Sequence, residues 1–496
     1  MKKIFILFIG LLSVNLSAQN EIDALRYSQQ NIFGTAKFNA MGGSFGSLGG
    51  DFTTLSFNPA GIAFYQNSEL SFTPSFSMVE TNTSLNGNNF TNNKFGSNLS
   101  NFGFVFSGKN MDEEWKRINI GFGWNQLASY DNKFDIETLN STSSFADILL
   151  NDAHGFFDDR TGEYNVSIDN LNSFGASPAF WADIIDLEND SVNPATGWYA
   201  SDNGHYISHI NPLSEKTQSD RVSSRGDMGE YVFSLGSSYQ EKFYFGATIG
   251  IPTIQYSENK TYSESNFSDT TFGLSSFSYK EDLIAYGSGV NLKIGTIVRV
   301  GSKTKVGAAV HTPSYISIEE EYSTSATTNW DNGDEFSESS PYGYFSYEIT
   351  TPWKIIGSFS TVLQNRFLIN AEIERTDYSF TRMYSDYYSF SEENNQINDT
   401  YTEATNIRVG GEANLHPFKL RAGYALYGSP YKENPEYETE NYSAGLGVDF
   451  GGTFFDMSYT LSKDSRDYAM YSPDTEPHSS INSEKHYLLF TLGFRY

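Results

Sequence analysis

The sequence predicts an all-β fold, namely a 14-stranded antiparallel transmembrane β-barrel with an N-terminal hatch, or plug, segment in its lumen. Three observations predict this fold. The chain of 496 residues is polar on average, with a mean hydropathy of −0.44, yet 16% of its residues are aromatic. Many segments alternate apolar with polar side chains, as strands do between lipid and a wet lumen. The connections between those segments are alternately short and long.

The composition excludes several classes of protein. There is no cysteine, which rules out a disulfide scaffold, a thiolate metal site and a cysteine nucleophile. The 32 Lys and Arg residues are outnumbered by 60 Asp and Glu residues, giving a net charge of −28. Such a chain cannot neutralise phosphates, so we expect no nucleic-acid partner.

The N-terminus has the order of residues found in secretory signal peptides. Two lysines at positions 2 and 3 precede an apolar run over 4–16, and Ala18 closes a small-residue site. The run is too short to span a bilayer, which needs about 20 apolar residues. We therefore expect residues 1–18 to be removed on export, residues 19–66 to form the hatch, and residues 67–496 to form a barrel in the outer membrane.

Fourteen segments carry the two-residue alternation of strands. An even number of strands is typical of bacterial outer-membrane barrels. The candidates lie near 68–80, 98–108, 116–128, 229–240, 242–256, 283–300, 304–312, 343–363, 365–376, 404–415, 418–427, 441–450, 453–462 and 485–496.

The connections alternate between short and long without exception, and the largest is a predicted extracellular loop near 128–229. Tight periplasmic turns and long extracellular loops produce this pattern. The last segment ends in alternating Leu488, Phe490, Leu492, Phe494 and Tyr496, which resembles the signal read by the barrel-assembly machinery. The alternative is the edge strand of a soluble sandwich.

Residues 19–66 contain a glycine-rich stretch over 40–50 and no strand pattern. This stretch leads to Asp51 and then to Asn58, Pro59, Ala60 and Gly61, a sequence that resembles the hatch of the FadL-type long-chain fatty-acid transporters. Later segments also resemble that family, at 351–353, 407–412 and 420–424. The resemblance implies a hatch-plugged barrel that takes up hydrophobic molecules passively.

The same resemblance implies that the substrate leaves sideways into the bilayer at a kink in strand three. Gly121 and Gly123 lie on that strand and are candidates for a lateral gate. They could equally be flat interior positions at which the hatch packs against the wall.

Two stretches of the large loop have the apolar spacing of short helices. Their apolar residues could form a groove at the outer mouth that captures a lipid-like ligand, or they could pack the loop on itself. These residues are Phe145, Ile148, Leu149, Phe180, Trp181 and Ile184.

A fatty-acid carboxylate would need a cation. By strand parity Arg408 and Arg421 face the lumen and could contact it. Glu372, Glu374 and Glu412 face the lumen too, so internal ion pairs are the competing interpretation.

Other motifs give weak signals for chemistry. Ser44 lies in a G-x-S-x-G pattern without the flanking strand and helix of a hydrolase elbow. His205 and His209 have a metal-like spacing but poor helix surroundings and no obvious third ligand. The acidic runs at 158–159 and 319–321 are expected to be solvated, with cation bridging to lipopolysaccharide as the alternative. We expect no enzyme activity, no cofactor and no metal.

Together these patterns predict passive transport of hydrophobic small molecules, with long-chain fatty acids as the first choice and outer-membrane lipid as the surroundings. The rival hypothesis is a barrel of the same type that acts as a docking or shuttle protein in protein secretion. A lipid hydrolase would need a Ser–His pair that no spacing here supports.

Overall fold

The computed structural model describes residues 21–31, 33–108, 114–140, 142–154, 157–158, 163–164, 168, 171–187, 206–211, 213–471 and 478–496. The expected signal peptide, His205 and Asp159 lie outside the described residues. Among those that are described, no helix has the length and apolarity needed to cross a bilayer.

Across the described residues, fourteen antiparallel strands close into a barrel, which confirms the predicted fold class. Each strand pairs with its sequence neighbours, and β14 returns to pair with β1. The strands are β1 (Glu69–Leu85), β2 (Asn88–Ser107), β3 (Trp115–Ser129), β4 (Lys216–Tyr239), β5 (Phe243–Ser265), β6 (Leu274–Val300), β7 (Thr304–His311 and Tyr315–Trp330), β8 (Gly343–Thr350 and Lys354–Leu363), β9 (Phe367–Asp377), β10 (Glu403–Leu415), β11 (Phe418–Tyr427), β12 (Thr439–Asp449), β13 (Thr453–Ala469) and β14 (His478–Arg495).

The outer face of the barrel carries a belt of apolar side chains. Leu235, Ile249 and Ile294 are each more than half exposed, at 53%, 51% and 57%. A soluble monomer rarely exposes a continuous apolar surface of this extent. The inner face alternates with it and is lined by small or polar residues such as Asn119 and Asn125. A wall that is apolar outside and polar inside is typical of a transmembrane β-barrel.

The strands continue far beyond this belt. In β5 the outward residues change from Ile249 and Ile251 to Gln255, Ser257 and Asn259, so the upper part of the strand meets water. The expected long loops near 80–98, 256–283, 312–343 and 462–485 were therefore wrong in large part, because strands occupy much of each segment. Where both faces are solvated, apolar alternation is not required, and the pattern disappears although the strand persists.

Besides single-residue register shifts elsewhere, β3, β7 and β8 carry longer departures from a regular ladder. β3 pairs with β2 only between Asn119–Asn125 and Asn101–Ser107, shifts register near Leu127, and continues as the segment Asn132–Asn140, whose ladder partner is β4. β7 and β8 are interrupted side by side, at 312–314 and 351–353.

The interruptions in β7 and β8 reverse the alternation of inward and outward residues. In β8, Tyr347 and Ile349 face the lumen above the break, whereas Lys354 and Ile356 face it below. Because a shift of one residue moves every side chain to the other face, the two halves must be read separately.

The short helices lie inside the barrel or at its extracellular end. They are α1 (Glu21–Arg26), α2 (Ala36–Ala40), α3 (Phe145–His154), α4 (Ala176–Trp181) and α5 (Ser391–Thr400), with single 3₁₀ turns at Phe52–Ser56, Pro59–Phe64 and Tyr378–Phe380. The short strands Phe157–Asp158, Glu163–Tyr164, Ile185–Leu187, Tyr206–Ser208, Glu335–Ser339 and Arg382–Tyr384 complete the elements.

We predict that Ile249→Arg destabilises the barrel by about 2–4 kcal/mol, because a charge on the lipid face must be taken into hydrocarbon. The matched variant Gln255→Arg, on the same face of β5 but above the belt, should leave stability unchanged. Urea titration of protein folded into phospholipid vesicles, followed by heat-modifiable electrophoresis, measures both. Equal effects of the two variants would contradict the position of the belt.

Candidate functional site

Of the expected hatch at 19–66, residues 33–66 fill the lower lumen, whereas α1 lies above them, and we use the word hatch for residues 33–66 from here on. Asn58 holds it in place through both ends of its amide. The Oδ1 atom accepts a hydrogen bond from Ala60 N at 3.1 Å and so caps the turn Pro59–Phe64. The Nδ2 group donates to the carbonyl of Gly46 within the hatch and to the carbonyls of Thr296 and Ala308 in the wall, at 3.3 and 3.4 Å. The motif residue thus joins the hatch to β6 and β7.

Wall side chains supply hydrogen-bond partners for several backbone groups of the hatch. Asn119 donates to the carbonyls of Ile62 and Tyr65, at 2.8 and 2.9 Å. Lys305 donates to Leu48 O at 2.7 Å. Glu372 accepts a bond from Gly46 N at 2.6 Å, and a ring nitrogen of His311 lies 2.6 Å from Phe57 O.

A collar of wall glycines lets the hatch approach the strands closely. At each of them an added Cβ would lie within 3.0 Å of a hatch atom. Gly121 and Gly123 belong to the collar, because a Cβ there would lie 2.7 Å from Leu55 and 2.6 Å from Phe52. The structure thus places both candidate gate residues against the hatch. The collar consists of Gly103, Gly121, Gly123, Gly236, Gly246, Gly295, Gly307, Gly410, Gly423 and Gly445.

The two arginines considered for carboxylate contact are both held by carboxylates of the protein. Arg408 binds Glu372 and Glu374 at 2.6 and 2.7 Å. Arg421 binds Glu412 at 2.7 Å and Asp456 at 2.5 Å. Both guanidinium groups are almost completely buried, so their charges are already neutralised.

Above the hatch the lumen is lined mainly by apolar side chains. We call this region the upper-lumen cluster; α1, α5 and the inner faces of several strands form it. The helix α1 inserts Ala24 and Leu25 into its centre, where they are at most 5% exposed. Further members include Ile254, Ile316, Ile349, Tyr378 and Ile397.

The large loop forms a second apolar core at the extracellular end, which we call the cap cluster. Of the six candidate groove residues, Phe145, Leu149, Phe180 and Ile184 are at most 5% exposed and pack in this core. Ile148 is partly buried against the same core, and Trp181 is 50% exposed. The structure brings four of the six into a closed core, as self-packing of the loop would, and leaves Trp181 at the surface.

Polar groups inside the cap have structural partners. Asp152 of α3 accepts a bond from Ala176 N at 2.8 Å at the start of α4, and burial raises the pKa of its carboxyl. Burial lowers the pKa of His209, whose ring lies 5.2 Å from that of Trp330. Within the described part of the chain, no three His, Asp or Glu side chains are arranged to hold a metal ion.

The structure also locates the G-x-S-x-G motif and the acidic run at 319–321. Ser44 lies buried in the hatch, and its carbonyl accepts a bond from Asn370. In the acidic run, Glu319 and Glu321 lie on the outer face of β7, whereas Glu320 faces the lumen and accepts a bond from Tyr347 Oη at 2.7 Å.

The wall has a seam between β2 and the continuation of β3. Over residues 88–100, β2 has no ladder pairing to strand three, and side chains bridge the gap instead. Asn92 donates to an Asp135 carboxylate oxygen at 2.9 Å and accepts from Asp135 N at 3.0 Å. Lys94 donates to the carbonyls of Ser224 and Asn132. The sequence offered no direct signal for this seam, because its residues are polar on both sides.

These features define a class: a membrane barrel of the outer-membrane type with a hatch in its lumen. No protein-family model and no curated protein matches the sequence. The structure is similar to the Pseudomonas putida toluene transporter TodX, with 12% identity, a TM-score of 0.53, and coverage of 95% of this chain and 99% of that one. It is also similar to a Pseudomonas aeruginosa FadL homologue, with 10% identity, a TM-score of 0.54, and coverage of 94% and 99%. The chain therefore has the fold of the FadL-type barrels.

We predict that Gly246→Ala loosens the hatch, because the new Cβ would meet the backbone of Pro59 closer than 3.0 Å. Overpacking of this kind costs about 1–3 kcal/mol. In planar bilayers the variant should show larger or more frequent conductance steps than the wild type. Gly357→Ala is the control, because its Cβ would meet nothing closer than 3.6 Å. Identical conductance and stability of the two variants would contradict the collar.

Proposed function

We propose that this protein is a passive transporter that moves hydrophobic small molecules across the outer membrane. One observation carries the proposal: the apolar upper-lumen cluster lies between a sealed hatch and a seam in the wall. An apolar lumen lining with a blocked floor and one weakly closed side, filled by α1 in this structure, suits a compound that is to be delivered into lipid.

The hatch forms the periplasmic floor of the lumen, and this floor is unsuitable for the passage of a hydrophobic solute. The gap between hatch and wall on the periplasmic side is lined by charged side chains, among them Lys37, Asp51, Glu69 and Arg495. Its volume is about 30 Å³, room for a few water molecules at most, since one water needs about 10–15 Å³ of such space. Passage of an apolar compound through this gap would require both removal of the hatch and desolvation of the charges.

The seam provides the lateral route. Opening it requires the loss of a few side-chain bonds around Asn92, Lys94 and Asp135, whereas opening any regular ladder would break many backbone bonds. The exit would thus lie along strand three and above the glycines 121 and 123, which hold the hatch beneath it.

The substrate class follows from the character of the lumen. Aliphatic and aromatic side chains of the upper-lumen cluster accept alkyl chains and small aromatic rings alike. The two similar structures are described as a toluene transporter and a FadL homologue. We propose long-chain fatty acids as the substrate of this chain, with first contact at the cap near Trp181. The ligand's own gradient would drive transport.

We predict that a covalent bridge across the seam stops uptake. The chain has no cysteine, so Asn92→Cys with Asp135→Cys introduces the only thiols. Bridged by oxidation or by a short bis-maleimide, cells carrying the double variant should lose at least about 90% of labelled oleate uptake, and reduction of the disulfide should restore it. Disulfide exchange is the reason that reversal is possible.

The control bridges two strands that are already paired, with Asn82→Cys and Asn482→Cys in the register of β1 and β14. This bridge should leave uptake intact. Full uptake through a bridged seam would exclude the lateral route. No uptake by the unmodified protein, together with capture of a secreted protein partner, would favour the docking hypothesis.

A further inference from the structure

The outer face of the barrel carries an apolar groove near its periplasmic end. The groove runs across β8 to β11, has a volume of about 880 Å³ and is open toward the membrane. Its position on the lipid-facing side of the wall separates it from the lumen and from the hatch. Among the residues that line it are Leu363, Phe367, Ile369, Gly411, Ala413 and Ala422.

The groove arises from the sizes of outward-facing side chains. In the ladder, Gly411 of β10 is the partner of Ile369 of β9, and Ala413 is the partner of Phe367. Ala422 of β11 continues the row of Gly411. The large side chains of β9 therefore stand beside a wall of glycine and alanine, and the surface sinks between them. Because this surface faces hydrocarbon, the natural occupant of the groove is an apolar chain.

Two exposed cations lie at the periplasmic end of the groove. Arg366 is in the turn between β8 and β9, where its N–H donates to Leu363 O at 3.1 Å and its carbonyl accepts from Asn414 N at 2.8 Å. Lys303 is in the neighbouring turn, and its carbonyl accepts from Val362 N at 3.1 Å. Among the residues that the structure describes, none forms an ion pair with either side chain.

This part of the periplasmic rim has no acidic residues. Residues 283–318 and 349–371 contain six lysines and arginines and no Asp or Glu, in a chain whose acids outnumber its bases by 60 to 32. Other periplasmic turns are balanced. Asp449, in the turn after β12, binds Lys419 and Arg495, both at 3.2 Å. The positive charge beside the groove is thus not cancelled by its own turns.

Two further cations add to the charge of this rim. Arg299 of β6 and Lys305 of β7 are ladder partners, an arrangement in which like charges repel. Aromatic rings hold them in place of carboxylates. The Lys305 Nζ atom lies 4.0 Å from the ring centre of Phe64, and the Arg299 Cζ atom lies 5.8 Å from that of Tyr244. An anion bound at this rim would relieve the repulsion.

We propose that Lys303 and Arg366 bind the phosphate of an anionic phospholipid of the periplasmic leaflet, and that one acyl chain of this lipid lies in the groove. The guanidinium fork of arginine fits a phosphate, and the lysine adds a point charge. The inference goes beyond the transport function, because this lipid would be bound on the membrane side of the wall and would not be carried through the lumen.

The test compares two phospholipids that share their acyl chains and differ only in the head group, the anionic phosphatidylglycerol and the zwitterionic phosphatidylcholine. Native mass spectrometry of the delipidated full-length mature protein in detergent gives both affinities. The wild type should bind one phosphatidylglycerol about tenfold or more tighter than phosphatidylcholine. Because anionic lipids attract basic residues at the membrane surface, Lys303→Gln with Arg366→Gln should abolish this difference. Added salt should weaken phosphatidylglycerol binding by the wild type and not by the double variant.

A second double variant tests the groove. Ala413→Leu with Ala422→Leu fills it with apolar side chains that the lipid face tolerates, and should weaken the binding of both lipids. Lys280→Gln on the outer face of β6 controls for the loss of a cation, and Ala247→Leu on the outer face of β5 controls for an added side chain. Neither control should change either affinity. Heat-modifiable electrophoresis verifies that each barrel is folded.

The outcomes are distinct. Equal affinity of the wild type for the two lipids, or equal phosphatidylglycerol affinity of the wild type and the Lys303→Gln, Arg366→Gln variant, would overturn the inference. Glycerophosphoglycerol, the soluble head group, should compete poorly; competition as strong as that of the intact lipid would assign the rim to a free anion and overturn the role of the groove. If the groove variant fails to fold, the cation variant decides, because both of its positions are exposed.

Discussion

A hatch with only short helices and single turns must find partners for its backbone inside the barrel, where most of its residues are buried. This constraint organises the rest of the molecule. Asn119 and Lys305 project from the wall to satisfy hatch carbonyls, and Asn58 projects from the hatch to satisfy the wall. Buried backbone groups left unpaired would cost as much as lost hydrogen bonds. The collar of glycines follows from the same need, because only a wall without side chains brings these groups within bonding distance.

These hydrogen bonds between hatch and wall close the periplasmic side of the lumen. The lumen above the hatch can therefore be lined mainly by apolar side chains. At the level of the hatch, ion pairs such as Arg408 with Glu374 neutralise the buried charges, and above it the Glu320 carboxylate accepts a bond from Tyr347. Above that level, at the seam, side chains replace the backbone ladder between β2 and strand three. The tight floor follows from the contacts between hatch and wall, and the weak side wall follows from strand three, which leaves β2 after Asn125 and continues as a partner of β4.

The sequence predicted the fourteen strands because each must show lipid an apolar face, and this requirement leaves a two-residue pattern. The sequence did not predict the upper halves of β5 and β6, because strands that meet water on the outer face need no apolar alternation. Asn58 could be found because its motif is local. The inward direction of Lys354 could not be predicted by counting alternate residues along β8. The break at 351–353 reverses the alternation, so a count from Tyr347 places Lys354 on the lipid side. The burial of Phe145 and Leu149 depends on contacts with distant strands, which helical spacing alone does not reveal.

Occupation of the upper lumen by a hydrophobic ligand is the central claim. Native mass spectrometry of the mature protein released from detergent tests it most directly, before and after addition of oleate and toluene. The account predicts a bound species of lipid mass that oleate displaces, with one ligand for each barrel. A protein that carries no such species and gains no mass from either compound would contradict the account.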